Sequence, residues 1–347
     1  MIWAVLLVGL VAAYLIVNSK FASDTDSTDT SADTTYITVN QVDESSIVGI
    51  SYTNKGVEYS FTLSGDKWTY LADATFPVDS SAMADYTSAL AGIRADRALE
   101  ADLKSVEYGL DSPAHTIKVT LSAGGSLIYN IGAYNKHSDS YYMTAEGHDK
   151  VYMVKAAFGE LFSVELYDLL LVESLPEIST DEVTSITAVS AAGTVKLEKS
   201  GTGEDVTWTH TNREGGAASL ESESADKIVT ALTQTKLTEC VDHNATDEQL
   251  RAFGLGESER EKITVTYNVT VSTSTQDGST SLGGSTVVTK ELVYYIGRVE
   301  APVAEDTTAD TTVDTTASKT EQKTYLMLDG SRMVYEVTLT NAAVFFE

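Results

Sequence analysis

The sequence predicts an α+β protein, with two tandem copies of an antiparallel-sheet-plus-helix unit behind an N-terminal transmembrane helix. The chain has 347 residues and 42% hydrophobic content, enough to build a core in each of two domains. One phrase also recurs, since EYGLDSP at 107–113 and AFGLGES at 252–258 share an aromatic residue followed by Gly and Leu. Strand-like alternation and amphipathic helical spacing surround both phrases in the same order.

The first element is an apolar segment at residues 1–20. Residues from Ile2 to Val17 are uncharged and almost wholly apolar. A helical span needs about 20 residues, and Trp3 with a snorkelling Lys20 brings the segment close to that length. We therefore expect a single-pass membrane anchor. A cleaved signal peptide is the alternative, although a basic n-region and a small-x-small cleavage site are missing.

Residues 21–45 are predicted to form a low-complexity Thr/Asp tether. The tract SDTDSTDTSADTT at 23–35 has no apolar residue larger than Ala, so it cannot bury enough surface to fold. A calcium loop is the alternative, but its twelfth position is Thr35 where a bidentate Glu is needed. Such an acidic stalk suits a protein at the cell membrane whose bulk is extracytoplasmic.

The two copies are predicted at residues 46–173 and 181–347, joined by a linker at 174–180. The segment Ile47–Ile50 aligns with Val183–Ile186, and Trp68 aligns with Trp208. Each copy then has an amphipathic helix with apolar spacings of three and four residues. The helices are marked by Met83, Tyr86, Leu90 and Ile93 behind Asp79 and Ser80, and by Ala225, Ile228, Leu232 and Thr235 behind Ser222 and Ser224.

The shared phrase is interpreted as a helix stop. Thr246 and Gln249 form a predicted capping box that begins a short helix in the second copy. Gly254 then fits the left-handed position after the helix, and Leu250 and Leu255 are the apolar pair of a Schellman motif. The first copy keeps Gly109, but Ser105 stands at the apolar position, so the second copy supports the full motif better.

A four-strand meander follows each stop. Three matched pairs of strands carry this prediction: Ile117–Leu121 with Ile263–Tyr267, Ile128–Gly132 with Val293–Gly297, and Val151–Val154 with Val334–Val337. The second copy is longer because of inserts near 272–289 and 303–320, which are predicted to be disordered hairpin tips. The first copy is predicted to end in one helix with Phe158, Leu161, Phe162, Leu166 and Leu169 on one side.

The order of these features resembles the bacterial DUF4340 family, a domain of unknown function. The residues that carry the resemblance are Trp68, Phe76–Asp79, Tyr108–Pro113, Ile131–Gly132, Tyr141–Tyr142 and Val151–Tyr152. It covers 46–173 well and the second copy more loosely, where Gly256, Glu257 and Ser258 replace Asp-Ser-Pro. The resemblance implies a membrane span and an extracytoplasmic protein whose gene often neighbours ABC-type permease and gliding-type auxiliary components. It implies no catalytic residues.

Composition and motifs exclude several kinds of function. With 51 Asp plus Glu against 23 Lys plus Arg, the net charge of −28 repels phosphate backbones, so nucleic acid is not expected as a partner. The single Cys240 excludes an internal disulfide and is interpreted as a small buried hydrophobe. Nucleotide and hydrolase motifs are missing, and the histidines lack metal-site spacing. These are His115, His137, His148, His210 and His243.

The sequence therefore predicts no catalytic, cofactor-binding or metal-binding residues and no cofactor. The favoured hypothesis is a non-enzymatic, membrane-anchored accessory or scaffold protein, with an ABC-type permease or auxiliary protein as the partner. One alternative is a cell-envelope module that binds glycan or peptide, which calls for exposed Tyr and Trp on one face. Another is a hydrolase of unrecognised type, which requires a deep pocket with converging polar groups. The sequence does not indicate an oligomeric state.

Overall fold

A computed structural model describes residues 36–201, 203–273, 284–300, 322–339, 342 and 345–346. The chain separates into two compact units, with the boundary between Leu171 and Val172. The predicted anchor at 1–20, most of the predicted tether and all of the insert near 303–320 lie outside the described residues. None of the helices in the described part of the chain has the length and apolar content of a membrane span.

The first unit is built on a nine-stranded antiparallel sheet with strand order β1-β5-β9-β8-β7-β6-β2-β3-β4. The strands are β1 (Ile37–Gln41), β2 (Ile47–Asn54), β3 (Val57–Ser64), β4 (Lys67–Tyr70), β5 (Gly92–Leu99), β6 (His115–Leu121), β7 (Ser126–Asn135), β8 (Ser140–Ala145) and β9 (Val151–Lys155). Among the described residues of this unit, two α-helices accompany the strands, α1 (Ser80–Ala91) and α2 (Ala156–Glu160).

The second unit is built on another nine-stranded antiparallel sheet, with strand order β13-β12-β11-β10-β15-β16-β17-β18-β14. The strands are β10 (Val183–Ser190), β11 (Gly193–Ser200), β12 (Thr207–Thr211), β13 (Ala217–Leu220), β14 (Glu239–Asp242), β15 (Glu261–Thr273), β16 (Gly284–Glu300), β17 (Gln322–Leu328) and β18 (Val334–Val337). Its α-helices are α3 (Ser222–Thr233) and α4 (Asp247–Ala252). With mostly antiparallel strands and few helices, the chain has an α+β, β-rich fold as predicted.

Eight strands follow the same order in both sheets. The first sheet contains β4-β3-β2-β6-β7-β8-β9-β5, and the second contains β12-β11-β10-β15-β16-β17-β18-β14. The residue pairing agrees as well, since Ala98 faces Tyr152 across β5 and β9, and Cys240 faces Tyr335 across β14 and β18. The ninth strand differs, because β1 lies beyond β5 in one sheet and β13 lies beyond β12 in the other.

The two long helices form where their apolar spacing predicts. Helix α1 begins behind Asp79, whose side chain accepts a hydrogen bond from the Ser81 amide. Its buried Tyr86 packs on Tyr52 of β2, with ring centroids 5.7 Å apart. Both helices end earlier than predicted, because Ile93 is a buried residue of β5 and Thr235 follows the end of α3. Helix α3 also has Glu221, and neither Ser222 nor Ser224, at its N-cap.

The shared aromatic-Gly-Leu phrase is a helix stop in both units. Gly254 has a φ of 69°, and the Leu255 amide donates to the Leu250 carbonyl at 2.7 Å, which confirms the Schellman motif. The first unit makes the equivalent bond from Leu110 to Ser105 at 3.0 Å without the apolar pair.

A strand glycine lies against each stop. A Cβ atom added to Gly297 of β16 would lie 2.2 Å from the Phe253 carbonyl oxygen. One added to Gly132 of β7 would lie 2.2 Å from the Tyr108 carbonyl oxygen. Each stop therefore requires a glycine on the neighbouring strand, because any side chain there would displace main-chain atoms.

The single helix predicted at the end of the first copy is wrong. Helix α2 ends at Glu160, and two 3-10 turns follow at Leu161–Ser163 and Leu166–Leu169. The helix is interrupted because side chains from distant parts of the sequence donate hydrogen bonds to main-chain carbonyls that a continuous helix would use. The Tyr86 hydroxyl donates to Leu161, and the Asn54 amide donates to Ser163 and Val164 at 3.0 and 2.9 Å.

Two segments predicted as loop or tether contain strands. The stretch assigned to the tether, 21–45, includes β1, in which Val39 is buried. The insert near 272–289 extends the hairpin of β15 and β16, with Thr273 opposite Gly284. Val and Thr residues on both strands explain this extension, because β-branched side chains favour strands. Residues 274–283 of that insert lie outside the described residues.

Candidate functional site

A groove of about 770 Å³ lies in the second unit. Its two walls are main-chain segments outside any strand, residues 172–179 and residues 234–238, with Thr233 and Glu182 completing the lining. We call this cleft the second-unit groove. Its volume lies within the range of about 300 to 1,000 Å³ that is common for ligand clefts.

The first wall, residues 172–179, is fixed at both ends. The Glu173 amide donates to the Tyr335 hydroxyl at 2.8 Å. Ile178 is only 2% exposed, and the Ser179 amide donates to the Glu182 carboxylate at 3.0 Å. The groove is therefore bounded by a segment held on the second unit.

The second wall follows the end of α3. The Tyr294 hydroxyl donates to the Leu232 carbonyl at 2.8 Å, and the Thr233 hydroxyl donates to the Val229 carbonyl at 2.8 Å. Leu237 is buried, whereas Gln234, Lys236 and Thr238 are exposed. Because this wall enters a strand only at Glu239 in β14, its main chain borders the groove directly.

The groove carries an acidic charge balance. Glu173, Glu177 and Glu182 line it together with a single cation, Lys236. The Glu173 carboxylate lies beside the Tyr335 hydroxyl, and one of its oxygens, Oε2, is buried. The groove therefore favours a ligand that carries positive charge.

The corresponding edge of the first sheet is closed by β1. Strand β1 pairs with β5, with Ile37 opposite Ala95 and Asn40 opposite Ile93. The Val42 amide extends this pairing, donating to the Ala91 carbonyl at 2.8 Å. The two units thus differ at the same end of their sheets.

A smaller depression of about 450 Å³ lies in the first unit. Asp96, Arg97 and Tyr142 contribute to its lining, and the Asn135 amide donates to the Tyr142 hydroxyl at 2.8 Å. Since these polar groups bond to each other or face solvent from a strand surface, the depression presents no converging set of reactive groups.

The histidines occupy separate environments. His115 is buried, with Nδ1 2.9 Å from the Thr53 carbonyl, and burial lowers its pKa. His148 contacts the Tyr152 hydroxyl at 2.8 Å, and His210 contacts the Phe345 carbonyl at 3.1 Å. Within the described ranges, no three His, Cys, Asp or Glu side chains are grouped to hold a metal ion.

Cys240 lies half-buried in β14. Burial raises the pKa of its thiol to about 11, so the nucleophilic thiolate is scarce at neutral pH. The sulfur lies 3.4 Å from the Asp242 carbonyl. From the sequence, Cys240 is interpreted as a small buried hydrophobe, and in the structure its side chain is half-buried.

The aromatic residues mainly serve the two cores. Trp68 and Trp208 are 6% and 2% exposed. The more exposed tyrosines of the described residues are Tyr36, Tyr134 and Tyr167. Tyr36 precedes β1, Tyr134 lies in β7 and Tyr167 lies in a 3-10 turn, so they belong to different elements of the first unit.

Residues 68–236 match the sequence model of DUF4340, a domain of unknown function. The chain carries a DUF4340 domain. The resemblance inferred from the sequence is thereby confirmed, although the DUF4340 match begins later than 46 and extends beyond 173. It runs from β4 to Lys236 and so includes the first wall of the groove and part of the second. No curated protein and no solved structure matches the chain.

Sequence reasoning missed the second-unit groove because it assigned residues 174–180 to a linker. One signal was present, since Pro176 stands in an otherwise strand-compatible segment and has no amide hydrogen for a strand partner. The groove itself depends on which main-chain segments pair with a neighbouring strand in the folded sheet. That pairing joins residues that are distant in the sequence, so local patterns do not predict it.

Proposed function

We propose that this protein is a non-enzymatic, membrane-anchored extracytoplasmic accessory or scaffold protein of an ABC-type transport or envelope system. The observation that carries the proposal is the second-unit groove, whose walls lie outside the strands of the sheet and whose lining is acidic. Main-chain edges of this kind bind extended segments of other proteins through backbone hydrogen bonds. The ABC-type system is the context that the DUF4340 resemblance implies.

The two units are proposed to be tandem copies at 46–173 and 181–347. The shared order of eight strands supports this, as does the equal pairing of Ala98 with Tyr152 and of Cys240 with Tyr335. The two glycine stops and their partner glycines on β7 and β16 add a local match. A duplication gives the protein two related sheets, and the edge strands of the two sheets can then take on different functions.

Residues 1–20 are proposed to anchor the chain, with residues 21–347 outside the cytoplasm. The long apolar run followed by an acidic, Thr-rich segment supports this arrangement. Anchoring confines the two units to the membrane surface, which raises their effective concentration toward a membrane partner.

The alternative function, a module that binds peptides, would use the same groove as the proposed accessory protein. The two functions differ only in the partner that is bound. A glycan-binding platform fits the described residues less well, because Trp68 and Trp208 are buried in the two cores. A hydrolase that uses Cys240 is disfavoured, because burial raises the thiol pKa to about 11.

Crosslinking in intact cells, followed by affinity purification of the full-length chain, tests the proposed function. We expect a permease or ATPase component to be recovered with the chain. Recovery of wall glycan alone, or a hydrolase activity that a single point mutation abolishes, contradicts the proposal.

A further inference from the structure

The two walls of the second-unit groove correspond to β1 and β5 of the first unit. This step rests on the proposed function, because it uses the tandem correspondence proposed there. If Ile47 is aligned with Val183, residues 173–177 correspond to residues 37–41, which form β1. If Ala98 is aligned with Cys240, residues 234–238 correspond to residues 92–96 of β5. The turns agree, since the Ser46 amide donates to Asp43 at 2.9 Å and the Glu182 amide donates to Ser179 at 3.0 Å.

Main chain that pairs with β1 in the first unit therefore corresponds to main chain outside any strand in the second unit. Residues 92–95 of the first unit form the part of β5 that pairs with β1. Their counterparts, 234–237, belong to no strand and face a groove. The groove is the space left by a strand pairing that the second unit does not make.

Pro176 explains why the second unit does not make this pairing. It stands at the position of Asn40, which faces Ile93 across the β1–β5 ladder. Alternate residues of a strand present their main-chain groups to the same neighbour, and Val42 donates to Ala91, so Asn40 also presents its amide to β5. Proline has no amide hydrogen to donate at this position.

The two units also differ in how the carbonyl at the end of the long helix is hydrogen-bonded. In the first unit the Asn40 side chain donates to the Leu90 carbonyl at 3.4 Å. In the second unit the corresponding Leu232 carbonyl accepts from Tyr294 within the core. The Leu232 carbonyl at the end of α3 therefore has a hydrogen-bond donor without a strand in the position of β1.

We propose that the second-unit groove receives a β-strand from a partner protein, an extended segment in which apolar residues alternate with lysine or arginine. The added strand pairs with residues 234–238, as β1 pairs with β5, and lies against residues 172–178. This binding mode is β-strand addition at an open edge, in which main-chain bonds supply affinity and side chains supply specificity.

The lining selects a basic segment. Glu173, Glu177 and Glu182 outnumber Lys236, so the lining attracts lysine or arginine side chains of the added strand. The apolar residues of the segment contact the half-buried Leu175 between these charges. An acidic segment meets like charge and is rejected.

The length of the open edge sets the length of the bound segment. Residues 234–238 span about 16 Å when extended, at about 3.3 Å per residue. A strand of about five residues covers this edge, which is the length of β1.

A designed peptide, KVTVKVTVK, provides the direct test with the full-length chain in detergent. We expect it to bind and to slow amide hydrogen exchange at residues 234–238 by about tenfold. A matched peptide with prolines, KVPVKVPVK, and an acidic one, EVTVEVTVE, should each bind about tenfold more weakly. Equal binding of all three peptides, no binding, protection confined to another region, or protection of 234–238 by self-association without peptide contradicts the proposal.

Pro176→Asn supplies the matched variant, because it restores the residue found in the first unit. We expect this variant to close the groove, to protect residues 234–238 without peptide and to lose peptide binding. Pro113→Asn is the control, since it removes a proline outside the groove and should bind the peptide as the wild type does. Undiminished peptide binding to the Pro176→Asn variant overturns the proposal.

In-cell crosslinking of the same variants separates this inference from the proposed function. Recovery of a permease or ATPase component with wild type and Pro113→Asn, but not with Pro176→Asn, supports both. Recovery with all three chains supports the proposed function and contradicts the groove as its docking site. Failure to recover a component with any chain, while the peptide still binds the groove, contradicts the proposed function alone.

Discussion

The hydroxyl of Tyr294 donates to the carbonyl oxygen of Leu232 at 2.8 Å, and this bond joins the central strand β16 to the last turn of α3. Both groups are buried, so neither can exchange the bond for one with water. The bond therefore fixes the end of α3, from which residues 234–238 pass along the groove.

Tyr294→Phe should lower the free energy of unfolding of the second unit by about 1 to 3 kcal/mol, because the Leu232 carbonyl loses its buried donor. Denaturant unfolding measures this change. Tyr295→Phe is the control, since that hydroxyl bonds to Asp329 at an exposed site and its loss should cost less. Equal costs for the two variants contradict the role assigned to Tyr294.

Gly254→Val should destabilise the second unit by about 1 to 2 kcal/mol from left-handed backbone strain alone. An added Cβ atom would also lie 3.0 Å from main-chain atoms of Arg298, which increases the cost. Gly330→Val is the matched control, since Gly330 has a φ of 79° and nothing within 4 Å of an added Cβ atom. Thermal unfolding should therefore rank Gly254→Val below Gly330→Val, and the reverse order contradicts the helix-stop geometry.

His115 should make the first unit less stable in mild acid. Burial lowers its folded-state pKa below the ordinary value of about 6.5, so the unfolded chain binds the proton more tightly. The stability it contributes is present above pH 6.5 and is lost as the pH falls through the folded-state pKa.

Urea unfolding from about pH 7 to pH 5 should show this loss, and His115→Gln should reduce it. His137→Gln, at an exposed position, is the control and should keep the wild-type pH dependence. An unchanged profile for His115→Gln contradicts the assignment.

The proposed topology predicts that protease added to intact protoplasts digests the bulk of the chain. Residues 21–347 are proposed to lie outside the cytoplasm, where the protease has access. A cytoplasmic protein of the same cells, assayed in parallel, should stay intact and serves as the control. Full protection of the chain contradicts the orientation.

Local features of the fold were predictable from the sequence, whereas long-range pairing was not. The stop at Gly254 and the capping box of Thr246 depend on residues within one helical turn, so their spacing was sufficient. The interrupted helix after Glu160 depends on Tyr86 and Asn54, which are distant in sequence.

The candidate site shows the same limit. Strand β1 is only five residues long and follows a Thr/Asp tract, so the sequence pattern placed it in a tether. The groove depends on a pairing that one sheet makes and the other does not. Pro176 marks a position that has no amide hydrogen. Only the pairing of Asn40 with Ile93 in the first unit shows which strand the missing amide would have bonded.

Amide hydrogen exchange of the unliganded wild-type chain is the most direct test of the open edge. Exchange at residues 235–238 should be at least about tenfold faster than at residues 93–95, because only the latter are paired with β1. Pro176→Asn should remove most of that difference. Equally slow exchange in the two segments of the wild-type chain would contradict an open edge and with it the binding mode that we propose.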